Sequence, residues 1–280
     1  MTFPTMLVNF DDDPRASVRL AQAIQLATRF SSHLVGVSCH RPAPWRAESP
    51  QALLAPDSLT LDLAEAQRVA QAREAAFLRA CDQADLVSFE VLGDDDEAGR
   101  ALVHRSRCAD LVVLGQPDPS DPDHARRRGI VDEVVLKSAR PALLLPYAGR
   151  FDSLGDNILV AWDDSREAAR AIADALPLLK KARTVHLVRF DPSAGASGVI
   201  DQARNDHVLA WLARHAITAN AAVAWSSADV GSALLSHAAD VGADLLVMGA
   251  WGQSRLTERL LGGATRTVME SMTVPVLVSH

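Results

Sequence analysis

The sequence predicts two tandem α/β domains, each a doubly wound sheet of five parallel strands. Three observations carry this reading. The chain repeats itself. ADLVVLG at 109–115 returns as ADLLVMG at 243–249, and PALLLP from Pro141 is answered by PVLVSH from Pro275, both at a spacing of 134. Near the starts, MLVNFDDDPRAS (6–17) matches ILVAWDDSREAA (158–169), setting Asp11 against Asp163 at a spacing of 152. Short Leu-rich or β-branched runs then alternate with longer Ala/Leu/Arg segments through each copy. Finally, the apolar runs are continuous rather than alternating, as expected for parallel strands covered on both faces.

In the first copy, strands are expected near 6–10, 33–39, 87–92, 110–115 and 142–146. The offset between copies falls by 18 between the two sets of anchors. The first copy therefore carries about 18 extra residues, most simply in the Pro- and Ala-rich stretch from Arg41 to Ser58. YAGRFDSLGD at 147–156 is short, polar and holds two glycines, which suits a linker. The domains are thus expected at 1–148 and 156–280. In the second copy, strands are expected at 157–162, 184–190, 220–226, 243–249 and 274–278. Helices are expected at 165–181, about 198–215, 229–241 and 263–272. Ser165 suits an N-cap, with Glu167 in the first turn favoured by the helix dipole. Gly242 suits the end of the third helix, and Pro275 opens the last strand.

Composition agrees. Of 280 residues, 48% are hydrophobic and 22% charged, enough for a packed core. A net charge of −7 disfavours nucleic acid as a partner. No apolar run approaches the ~20 residues that span a bilayer, and MTFPTMLVNFDDDP lacks the basic start of a secretion signal, so a cytoplasmic location is expected. Cys39, Cys81 and Cys108 form no C-x-x-C pair and are odd in number. Buried or half-buried free thiols are expected, not disulfides or a zinc cluster. No phosphate loop of the G-x-x-x-x-G-K-[ST] type occurs, nor a metal-binding histidine motif, nor a G-x-S-x-G elbow. His186 falls within a strand pattern and reads as structural.

In doubly wound sheets, ligands bind beyond the carboxyl ends of the strands, where strand order reverses. Two segments of the second copy should reach that edge. The first is Ala161-Trp162-Asp163-Asp164, whose acidic side chain can accept from a ribose hydroxyl or an adenine amine. The second begins at Gly249 and runs through Trp251, Gly252, Arg255 and Glu258 to Gly262, Gly263 and Ala264. Gly249 and Gly252 would let backbone approach a ligand closely. The free N–H groups of the helix opened by Gly262, Gly263 and Ala264 could hold phosphate oxygens.

With this set of glycines the chain resembles the universal stress protein family in its tandem form. The family motif is G-x2-G-x9-G-[ST], and Gly249, Gly252 and Gly262 match it. Gly263 stands where the family has Ser or Thr, so one side-chain contact to phosphate is lost while the amides remain; Thr265 is two residues on. The resemblance implies a Rossmann-like, adenine-nucleotide alpha-hydrolase-like fold. It also implies that Asp163 contacts the adenosine moiety, that Ala161 and Trp162 are neighbouring pocket positions, and that Val188 or Arg189 faces the adenine. The implied cofactor is ATP or another adenine nucleotide, with or without Mg. The implied assembly is a pseudo-dimer within the chain, made by pairing 142–146 with 274–278; a homodimer stays open.

The first copy departs from the motif. It keeps Asp11 and Gly115, but then reads QPDPSDPDHARRRGIVDEV, with Gly129 alone before the last helix. The prolines and aspartates of this loop should hold it open and repel phosphate, leaving a degenerate site. His124, Arg126, Arg127 and Arg128 read as a solvated basic loop balancing those aspartates. Three functions follow: a regulatory stress-response protein binding an adenine nucleotide in its second copy, a scaffold that binds none and meets an unknown protein partner, or a slow ATP hydrolase with Arg255 and Glu258 positioning water.

Overall fold

β1 (Thr5–Asn9) and β2 (His33–Cys39) run parallel in register, Thr5 beside His33 and Asn9 beside Val37. In the computed structural model that contains them, residues 2–39, 56–94, 96–190, 203–225, 229–250 and 263–280 are described. Between and after these strands come α1 (Ala16–Phe30), α2 (Pro56–Gln83), β3 (Phe89–Asp94), α3 (Ala98–Ser106), β4 (Leu111–Gly115) and α4 (His124–Lys137). The strand order is β3-β2-β1-β4, all parallel, so strand order reverses between β1 and β4. Met6, Val8, Leu34, Val37, Leu111, Val112 and Val113 have no exposed surface. Those continuous apolar runs are the signature of strands covered on both sides.

The chain separates into two units, Thr2–Ser138 and Ala139–His280. The second contains β5 (Ala142–Leu145), β6 (Asn157–Ala161), α5 (Arg166–Leu179), β7 (Thr184–Phe190), α6 (Ala203–Arg214), β8 (Asn220–Ala224), α7 (Val230–Asp240), β9 (Leu245–Gly249), α8 (Gly263–Ser271) and β10 (Val276–Ser279). Its strand order is β5-β10-β9-β6-β7-β8. The pairs are parallel except β5 with β10, which run antiparallel with Leu144 beside Val276 and Ala142 beside Val278. These are the two runs expected to pair, and strand order again reverses, here between β6 and β9.

Helix ends follow local chemistry. Ser165 caps α5, its side chain accepting from Ala168 N at 3.0 Å. Gly242 takes the left-handed conformation (φ +61°) after α7, and Ala243 N donates back to Ala238 O at 2.8 Å. The Asp of the repeated ADL motif has a structural task. Asp110 Oδ2 accepts from Thr5 N at 2.8 Å, and Asp244 Oδ1 accepts from Gly155, Asp156 and Asn157 N, each at 3.0 Å. In each copy a carboxylate at the start of the fourth strand thus satisfies backbone donors at the start of the first.

Three expectations need correction. Val87 was expected in the third strand. It lies outside β3 and is 98% exposed, because Asp85 turns the chain through a positive φ of 51° and delays the strand to Phe89. Cys108 is exposed, while Cys39 is half-buried and Cys81 buried. The basic segment from His124 is not a loop: it begins α4, with Arg127 only 8% exposed. The site expectations at Trp251, Gly252, Arg255, Glu258 and Gly262 lie outside the described residues.

Candidate functional site

The reversal between β6 and β9 is flanked by Ala161, Trp162 and Asp163 at and after the end of β6, by Val188 and Arg189 on β7, and by Gly249 at the end of β9. Ala161 ends β6 and lies beside Val188 of β7. Trp162 N continues the ladder by donating to Val188 O at 2.9 Å. Val188 thus lies beside the end of β6, and Arg189 follows on the opposite face of the strand. Both are buried.

Asp163 lies just beyond, exposed, with Oδ1 accepting from Ser165 N at 3.0 Å. That bond closes a turn in which Asp164 adopts φ +62°, and the turn delivers Ser165 to its capping position. Among the described residues, no partner is found for Asp163 Oδ2. Trp162 is half-buried, and its indole N–H is buried without a hydrogen-bond partner among them.

Gly249 ends β9 on the other side of the reversal. Its missing side chain does not leave room for a ligand. A Cβ there would lie 2.6 Å from Ala168 N and from the Glu167 carbonyl carbon, in the first turn of α5. Gly249 is thus required by packing. Glu167 itself is 6% exposed and bonded to Arg166 Nε at 2.6 Å.

Gly263 and Ala264 open α8. Gly263 is exposed, and among the described residues a Cβ on it would make only an ordinary contact, at 3.8 Å, with Asp229 Oδ1. Asp229 caps α7 by accepting from Ser232 N at 3.0 Å. The sequence does not single out this carboxylate, because nothing in its local pattern places it beside the start of α8. A tight crossing brings the two helices together: a Cβ on Gly231 would lie 2.7 Å from both Ala264 O and Thr267 Cβ. Thr265 is buried, 5% exposed.

The same edge of the first copy is filled. Arg19 is 2% exposed and donates from Nε to Asn9 O at 2.8 Å, from Nη1 to Asp13 Oδ2 at 2.7 Å and from Nη2 to Asp11 Oδ1 at 2.6 Å. Arg127 donates from Nε to Asp121 Oδ2 at 2.8 Å, from Nη1 to Asp11 Oδ2 at 3.0 Å and from Nη2 to Asp12 Oδ1 at 2.9 Å. Burial raises the Asp12 pKa, but Arg127 and Arg126 outweigh it and hold the carboxyl below its ordinary range. A Cβ on Gly115 would strike Arg19 Nη1. The space left among Asn9, Asp11, Arg19, Gly115 and Arg127 holds about a single water molecule. The loop expected to be held open is therefore drawn in by ion pairs.

Comparison with known proteins agrees with the two-copy organisation. The model of the universal stress protein family matches residues 2–146 and again 155–280. A universal stress protein from Archaeoglobus fulgidus DSM 4304 is similar in structure, with a TM-score of 0.75 at 16% identity, covering 100% of this chain and 99% of that one. A functionally unknown protein from Pseudomonas aeruginosa PAO1 is similar at a TM-score of 0.60 and 16% identity, covering 99% of this chain and 92% of that one. Among curated proteins, none matches the chain.

Proposed function

The chain belongs to the universal stress protein family, with two family segments in one polypeptide, and from that premise we propose that its C-terminal copy binds an adenine nucleotide, ATP foremost, in a regulatory role. The observation that carries this reading is the contrast between the two strand edges. In the first copy two buried arginines occupy the edge. In the second, the position equivalent to Arg19 is Ala171, and Asp163 is exposed with one oxygen engaged in a turn. A carboxylate there suits the adenosine part of a nucleotide, since it would repel the phosphates. The start of α8 at Gly263 and Ala264 suits the phosphates, through free N–H groups and the positive end of the helix dipole.

One observation favours a second reading, a scaffold that binds no nucleotide. Asp229 sits near the start of α8 and Gly263 offers no hydroxyl, so phosphate would meet a negative charge with one donor fewer. Among the described residues, no helix is long and apolar enough to cross a membrane and no metal-binding cluster occurs.

Calorimetry of the full chain with ATP separates the readings. The expected result is at most one site per chain. Asp163→Ala should weaken ATP and adenosine alike by about tenfold or more, since a hydrogen bond to a charged group is worth roughly 1.5–3 kcal/mol and ~1.4 kcal/mol is a factor of ten. Asp163→Asn, which keeps the acceptor for Ser165 N, should lose less. No heat with ATP, together with no nucleotide in the mass spectrum of the denatured purified protein, would leave the scaffold reading.

A further inference from the structure

The arginines of the first copy come from different parts of the chain. Arg19 is on α1, and Arg127 lies in the first turn of α4, more than 100 residues later. Arg127 alone ties three segments together: Asp11 and Asp12 after β1, Asp121 in the loop after β4, and its own helix. It is 8% exposed, and its planar fork engages a different carboxylate from each nitrogen. Lysine could satisfy one of these carboxylates at a time, but not all three with fixed geometry.

We propose that Arg127 is a built-in lock: its guanidinium occupies the first copy's strand-edge crevice and holds the loop 116–123 closed over it, so that this edge is sealed from within the chain. The lock explains how a loop with three prolines and three aspartates lies down on an acidic edge without repelling it. It also explains why Gly115 is retained where no ligand enters. A side chain there would displace Arg19, which braces Asp11 from the other side. The crevice is closed by the chain's own cation.

The test uses the full chain carrying Arg127→Ala. Removing one partner of a buried ion-pair network leaves carboxylates uncompensated, so the melting temperature should fall by at least about 5 °C. Amides of 116–123 should exchange with solvent at least about tenfold faster, while those of β6 and β9 keep their protection. Millimolar methylguanidinium should restore part of both losses, and methylammonium should not, because it lacks the fork. Should Arg127→Ala fail to fold, Arg127→Lys serves: it should fold, melt below the parent and show the same faster exchange in 116–123. Parental exchange at 116–123 in either variant would overturn the lock. So would equal rescue by methylammonium, which would reduce the effect to ionic strength. ATP calorimetry on the same variant keeps the two proposals apart, since loss of the lock should leave binding in the second copy unchanged.

Discussion

Gly249 and Glu167 are in backbone contact: a Cβ added to Gly249 would lie 2.6 Å from the Glu167 carbonyl carbon and 2.8 Å from its Cβ. Both elements are fixed, Gly249 by its ladder with Ser279 on β10 and Glu167 by the cap that Ser165 makes on α5. Gly249→Ala should therefore cost about 1–3 kcal/mol through overpacking, seen as a drop in melting temperature of several degrees whether or not nucleotide is present. A parental melting temperature combined with lost ATP binding would return Gly249 to the ligand.

Gly263 behaves differently. Among the described residues, a Cβ on it would make only the ordinary contact with Asp229. Gly263→Ser should thus fold as the parent does and supply the hydroxyl that the family motif carries at this position. ATP affinity should rise by about tenfold, the worth of one added hydrogen bond to a charged group. Calorimetry checks this directly. Unchanged affinity with intact folding would place the phosphates away from the start of α8.

His186 gives the protein a pH dependence. It lies on β7, half-buried, and burial together with the nearby His237 holds its pKa below the ordinary imidazole value. Above about pH 6.5 the ring is neutral in both folded and unfolded chains and contributes no slope. Below that, the unfolded chain takes up the proton first, so stability should fall as pH drops from about 6.5 through the lower folded value. Urea unfolding on either side of that pH, with His186→Gln as the comparison, checks it. The variant should show a shallower loss on acidification.

How far the sequence reaches depends on the distance over which each feature is encoded. The strands were legible because burial on both faces leaves continuous apolar runs, as at Leu111–Leu114 and Leu245–Met248. The Ser165 cap and the Gly242 terminus were legible because capping is decided within a few residues. Val87 misled because it is apolar yet falls on the turn set by Asp85. Arg127 was misread as solvated because its partners Asp11 and Asp12 lie 116 and 115 positions away. No local pattern records that distance. Gly249 shows a third case: the sequence marks a place where a side chain is not tolerated, but not whether a ligand or a neighbouring helix fills the space.

The antiparallel pairing of β5 with β10 means that inheritance and hydrogen bonding divide this chain at different places. By repeat, residues 141–146 close the first copy; by ladder and by compactness, Ala142–Leu145 belong with Ala139–His280. A gene cut at the linker 147–156 would strip the later half of a border strand. Val276, Leu277 and Val278, all without exposed surface in the intact chain, would then line an open, uncharged edge. Such a fragment should self-associate in a concentration-dependent way, whereas one beginning before Ala139 keeps that edge covered. Reshuffling this polypeptide, in the laboratory or over evolutionary time, is thus constrained by four residues that the repeat assigns to the other half.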